Sequence, residues 1–153
     1  MLGLLTLLRE EPTAEGGGAT SLGSAIQSLN RMARRSRLVV IISDFRGPRD
    51  WSSALVELAG RHSVIAVEIQ DPREQEIPDV GELWLVDPET GRQLRVDTRS
   101  KKLRERFANA AVQDRAEVAG MLARAGAQHV VLSTRGDWLR TLAGFLNAKG
   151  TAR

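Results

Sequence analysis

The sequence predicts an α/β layered domain built on a mostly parallel sheet. Three observations carry that prediction. Leu38 to Ile42 is an unbroken run of β-branched and aliphatic residues, Val64 to Ile69 is a second such run, and Trp51, Leu55, Leu58 and Ala59 recur between them at helical spacing. Strands that are apolar on both faces belong to a sheet covered on both sides. A strand–helix–strand order makes such strands parallel neighbours joined by a right-handed crossover.

Taken in chain order, Met1 to Leu8 is apolar but has no basic stretch before it, and Glu10 and Glu11 follow at once. It reads as the end of a helix and not as a leader peptide. Gly16-Gly17-Gly18 makes an entry loop to the next helix. The amides of such a loop can cradle a phosphate, but this one lacks a lysine and follows no clear strand, so a plain loop is expected. Leu22, Ala25, Ile26, Leu29, Met32 and Ala33 form one apolar stripe, with Thr20 and Ser21 placed as N-caps and Arg34 and Arg35 suited to a helix C-terminus. The strand from Leu38 runs on into Ser43-Asp44. Pro48 and Asp50 open the second helix.

The second strand ends at Asp71-Pro72. Leu83 to Val86 and Gln93 to Val96 then flank Asp87-Pro88-Glu89-Thr90-Gly91, whose proline and glycine suit a type I turn closed by a bulge. An antiparallel hairpin inserted into the α/β series is expected there. A long helix follows, with Leu103, Phe107, Ala111, Val118, Met121 and Leu122 facing inward and Gly126 near its end. His129 to Ser133 reads as a third parallel strand, and Asp137 opens a last helix carrying Trp138, Leu142, Phe145 and Leu146. Residues 1–148 are expected to form one domain and residues 149–153 a disordered tail.

Composition narrows the function classes. The chain has 153 residues, enough for one core, and its apolar and charged fractions of 42% and 27% are those of an ordinary globular protein. With no cysteine, disulfide scaffolds and thiolate chemistry are excluded, and a reducing, cytoplasmic setting is the natural expectation. The longest apolar run, Leu38 to Ile42, is far too short to cross a bilayer, so no membrane segment is expected. The net charge of +3 comes from arginines crowded at Arg31 to Arg37 and Arg99 to Arg106. Without tyrosine and with few other aromatics there is no stacking platform, so nucleic acid is not an expected partner.

The order of several short motifs resembles a known family. Ala19-Thr20-Ser21-Leu22 is followed by Val40-Ile41-Ile42-Ser43-Asp44-Phe45, by Arg61-His62-Ser63-Val64-Ile65-Ala66-Val67, and by Asp71-Pro72-Arg73-Glu74 with Glu76 and Pro78. Asp87, Glu89-Thr90-Gly91, Val96-Asp97-Thr98 and Leu132-Ser133-Thr134 continue the series over nearly the whole chain. Together they resemble the C-terminal portion of the bacterial domain-of-unknown-function fifty-eight family, which has a von Willebrand factor A-like domain. The resemblance implies a partial, Rossmann-like three-layer sandwich, N-terminally truncated, with parallel strands and an inserted hairpin. It also implies a metal-ion-dependent adhesion site, in which Thr20 matches the family's threonine and Asp44 its last aspartate. The Asp-x-Ser-x-Ser element of that site is absent: Asp50-Trp51-Ser52-Ser53 has Ala54 where the second serine belongs. Two ligands leave most of the shell of a Mg²⁺ ion to water, so tight metal binding is not expected of this chain.

Read on its own residues, Asp44 has two roles open to it. It stands beyond the carboxyl end of a strand, where open α/β sheets bind ligands, and it also suits a turn cap before Gly47-Pro48. Arg73, Glu74 and Glu76 form a charged loop suited to docking a partner. His62 and His129 begin strands, at the opposite sheet edge from Asp44, and read as structural. The expected function is a non-enzymatic protein-interaction or adaptor module. The resemblance implies a MoxR-type AAA+ ATPase as partner, in protein assembly or maturation. The alternative is a small metal-assisted hydrolase or phosphoryl-transfer enzyme using Asp44 with the Arg73 loop. One feature stands apart from either reading. The most apolar strand has few partners in the chain, so missing strands or an assembly partner must cover its edge.

Overall fold

The computed structural model describes residues 21–33, 35–86 and 93–150. The readings made for Met1 to Leu8, the glycine loop at residues 16–18, Thr20, Arg34 and the turn from Asp87 to Gly91 therefore lie outside the described residues. The elements are α1 (Leu22–Met32), β1 (Leu38–Ser43), α2 (Trp51–Ala59), β2 (Ser63–Gln70), a 3₁₀ turn (Pro72–Glu74), β3 (Glu82–Val86), β4 (Gln93–Asp97), α3 (Lys101–Arg124), β5 (Gln128–Ser133) and α4 (Trp138–Gly150). α4 thus continues into the segment read as a tail, and residues 151–153 are outside the described residues.

β1, β2 and β5 form a parallel sheet in the order β1-β2-β5, while β3 and β4 make a separate antiparallel pair. Helices cover both faces of the parallel sheet, as expected for a partial Rossmann-like sandwich. On one face Ile26 of α1, Trp51, Leu55 and Leu58 of α2, and Val118 and Leu122 of α3 pack on Ile41, Val64 and Ala66. On the other, Leu142 and Phe145 of α4 pack on Ile65, Val67, Val130 and Leu132. This alternation along β2 is why the strand is apolar throughout: each face has its own core.

The helices differ from the sequence reading in which residues they bury. On α1 the buried positions are Gly23, Ile26 and Asn30, whereas Ala25 and Met32 face solvent. Asn30 is inside because its amide Nδ2 donates to the Ala54 carbonyl at 3.0 Å, pinning α1 to α2. Gly23 is inside because Asp50 sits against it: a Cβ there would lie 2.8 Å from the Asp50 carboxyl carbon and 3.0 Å from its backbone carbonyl carbon. Gly23→Ala is accordingly expected to lower the free energy of unfolding by about 1–3 kcal/mol, although alanine is the better helix former. Urea unfolding measures this, and an unchanged midpoint would mean that the two helices separate freely.

α3 buries only Val118 and Leu122, so its first half overhangs the sheet and Phe107, read as inward, is half exposed. Trp138 and Leu146 of α4 are also largely exposed. Trp138 and Leu146 border an open apolar groove on the sheet face with Val40 and Ile42 of β1, which α4 leaves uncovered. The hairpin is tied to the start of α3 by Thr98, which is fully buried. Its hydroxyl donates to the Gly81 carbonyl at 2.6 Å and accepts the Val80 amide at 3.0 Å, while Arg104 reaches the Thr98 carbonyl and Asp79. Among the described residues no helix is long and apolar enough to cross a membrane.

Candidate binding groove

Parallel strands end at one edge of the sheet, so the loops after β1 and β2 emerge side by side. Ser43 and Glu68 are register partners at that edge. After β1 the chain turns sharply. Ser43 Oγ accepts the Phe45 amide at 3.0 Å, Asp44 Oδ1 accepts the Arg46 amide at 3.1 Å, and Phe45 itself adopts a left-handed φ of 53°. That backbone costs a non-glycine residue about 1–2 kcal/mol. It is held because the Phe45 ring is buried edge-on against Trp51, with centroids 5.4 Å apart.

The turn projects two arginines across to neighbouring elements. Arg49 donates to the Phe45 carbonyl and pairs with Asp114 of α3. Arg46 pairs with Glu74 of the β2 loop at 2.9 Å. Between these struts lies a groove of about 370 Å³, floored by Ile69 and by Phe107, Ala110, Ala111 and Val118 of the overhanging half of α3. At its base Glu68 is almost wholly buried. Its carboxylate is bonded by Gln70 Nε2 at 2.6 Å and by His129 Nε2 at 2.8 Å, and Gln75 Nε2 in turn donates to Gln70 Oε1 at 3.2 Å. A buried carboxylate is stable only with such partners. The groove therefore has an apolar floor, a fixed hydrogen-bonding base and charged walls in which Arg46 pairs with Glu74 and Arg49 with Asp114.

Asp44 caps the turn, and it also lines this groove. The N-cap of α1 is Ser21: its Oγ accepts the Ser24 amide at 3.1 Å and donates to Asp50 at 2.6 Å. Of the charged loop, Glu74 enters the groove wall, whereas the side chains of Arg73 and Glu76 are exposed, with the Arg73 amide held by Asp71. His62 is structural, its Nδ1 accepting the Arg37 amide at 3.2 Å. His129 stands at the start of β5, as expected, and its partner is the buried Glu68 carboxylate. Glu68, two positions beyond the register partner of His129, lines the groove that Asp44 lines. Glu68, Arg49 and Asp114 were not singled out by the sequence reading. For Glu68 the signal was present as the one charged residue in an otherwise apolar strand, a position that demands a partner. The pairing of Arg49 with Asp114 spans 65 residues and left no local trace.

The residues present do not fit the divalent cation that the resemblance implies. Asp44 offers one carboxylate with one oxygen already engaged, and among the described residues no three His, Cys, Asp or Glu side chains gather closely enough to hold an ion. Mg²⁺ needs about six oxygens in octahedral array.

The model of the family described as "Protein of unknown function DUF58" matches residues 2–117. An uncharacterized protein of Mycobacterium avium is 40% identical over 148 residues, covering 95% of this chain and 86% of that protein. Uncharacterized proteins of Mycobacterium bovis and Mycobacterium tuberculosis are likewise 40% identical, and the chain spans 46% of the length of each. No solved structure matches the chain.

Proposed function

Because the chain belongs to the DUF58 family of proteins of unknown function, we propose that it is a non-enzymatic protein-interaction module, adaptor-like, whose groove at the carboxyl edge of the sheet receives a segment of a partner protein. The observation that carries this reading is the groove's make-up. An apolar floor suits side chains of a docked segment, the Gln70 and Gln75 amides suit its backbone, and a charged rim gives specificity. Arg73 and Glu76 extend that rim. The resemblance makes a MoxR-type AAA+ ATPase the partner to try first and protein assembly or maturation in the cytoplasm the setting. Any Mg²⁺ in the complex would draw ligands from beyond Asp44.

Capture of a MoxR-type ATPase on the immobilised chain tests the proposal. Ala111→Arg fills the groove from a helix surface and leaves the core untouched. It is expected to weaken capture at least tenfold, about 1.4 kcal/mol. Undiminished capture by that variant would sink the groove, and no capture by the unaltered chain would sink the partner. The Glu68–His129 pair at the groove base supports a second reading, a hydrolase or phosphoryl-transfer enzyme using Asp44. Equal background turnover of generic phosphatase and nuclease substrates by the unaltered chain and Asp44→Ala would dispose of it.

A further inference from the structure

The groove is opposite in sign to the chain that carries it. The chain has a net charge of +3. Among the described residues lining the groove, carboxylates outnumber guanidiniums five to three. Pairing decides which of them are left for a partner. Arg46 is engaged by Glu74 and Arg49 by Asp114. Both oxygens of Glu68 are taken, one by Gln70 and one by His129. There remain Asp44 and Asp71, just past the ends of the neighbouring strands β1 and β2, and Arg115 of α3. None of these three has an ion-pair partner among the described residues. The two aspartates are also held in place. Asp44 Oδ1 accepts the Arg46 amide at 3.1 Å, and Asp71 Oδ1 accepts the Arg73 amide at 2.9 Å. Each turn thereby fixes its carboxylate through one oxygen, and the other is bonded by no described residue. A carboxylate already ordered by its own turn loses little freedom on meeting a cation.

Resting on the groove reading above, we propose that the docked segment presents a lysine or arginine to the groove. Its stem lies on the apolar floor and its cationic end meets the Asp44 and Asp71 carboxylates. The floor suits a stem of that kind, because Ile69 and Ala111 are partly open and the Phe107 ring is 38% exposed. Long basic side chains cover such apolar surface with their methylenes while the charged end reaches a polar rim. The other side-chain classes fit worse. An acidic side chain would meet two like charges, and a wholly apolar one would strip water from both aspartates and give them no partner. Arg115, the one unpaired cation among the described lining residues, belongs to the helix wall and suits a backbone carbonyl of the same segment. The attraction is local to the groove, so it selects a basic segment although the chain as a whole is itself basic.

Selection of short random peptides displayed on phage, against the immobilised 153-residue chain, tests the proposal. Ala111→Trp serves as the counter-target, since it fills the groove without adding charge. Peptides held by the unaltered chain and lost on Ala111→Trp are expected to share a lysine or arginine. In a fluorescent copy of such a peptide, norleucine for the lysine or citrulline for the arginine keeps the stem and removes the charge. That exchange is expected to weaken binding about tenfold, and added salt to weaken the unaltered peptide. Asp44→Asn and Asp71→Asn keep the oxygen that each turn uses, and each is expected to weaken the peptide severalfold with an unchanged circular dichroism spectrum. Groove-dependent peptides with no basic residue in common, or equal binding of the uncharged copy, overturn the inference and leave the groove reading standing. Full binding to both asparagine variants also overturns it, by placing the cation elsewhere. An empty selection, or equal retention of every peptide by Ala111→Trp, overturns the groove reading and this inference with it. The uncharged peptide needs no protein variant to fold, so it decides the charge by itself.

Discussion

Leu55→Ala is expected to remove about 2–5 kcal/mol from the free energy of unfolding. Leu55 is completely buried on α2, in the cluster that joins Ile26 of α1 to Ile41, Val64 and Ala66 of the sheet. α2 has only nine residues, and Trp51, Ala54 and Leu58 are its other buried contacts. Truncation at its centre leaves a cavity bounded by strand and helix backbones that cannot close around it. Against a typical stability of about 5–15 kcal/mol, the loss is a large share of the whole. Urea unfolding should show a lower midpoint at unchanged slope. Val56→Ala, one residue along and half exposed, is the control and should stay within about 0.5 kcal/mol. Equal losses at the two positions would mean that α2 does not pack as described.

His129→Ala is expected to cost about 2–4 kcal/mol, through what it leaves behind more than through what it removes. Glu68 is 3% exposed, and without the imidazole its carboxylate keeps only the Gln70 amide. Deleting one partner of a buried pair strands the other in a medium that solvates it poorly. The imidazole is itself partly exposed, which holds the figure below that of a fully buried pair. The consequence can be separated from simple loss of packing. Glu68→Gln in the His129→Ala background removes the stranded charge and should restore at least half of the loss. Additive effects in this double-mutant cycle would show that the two residues do not interact.

Much of the fold was legible because the signals were local. β1 and β2 announce themselves as continuous apolar runs, and Ser21 caps the helix whose start it marks in the sequence. What stayed hidden depends on distance along the chain. Phe107 has the right spacing to face inward, yet periodicity cannot say where the sheet beneath a helix stops. Asn30 and Gly23 break the apolar stripe of α1, and only their partners on α2 explain why they are inside. The same holds for the groove. Asp44 and Glu74 were visible from their places after strand ends, whereas the pairing of Arg46 with Glu74 and of Arg49 with Asp114 of α3 joins elements remote in sequence. Glu68 lay between the two cases, conspicuous as a charge in a strand but silent about which histidine would meet it.

The left-handed pose of Phe45 ties recognition to folding in a way that neither the groove nor the core displays alone. Backbone preference pushes that residue toward an extended shape, and the burial of its ring, with the bonds of its amide to Ser43 and of its carbonyl to Arg49, resists. Loosening the interior therefore frees the segment carrying Asp44, Arg46 and Arg49 to swing back before the rest of the molecule melts. Mild lesions deep inside, far from any partner, are expected to blunt docking at temperatures where the far-ultraviolet spectrum is still native. On the proposed docking role, partner binding would then gauge how soundly the chain is folded.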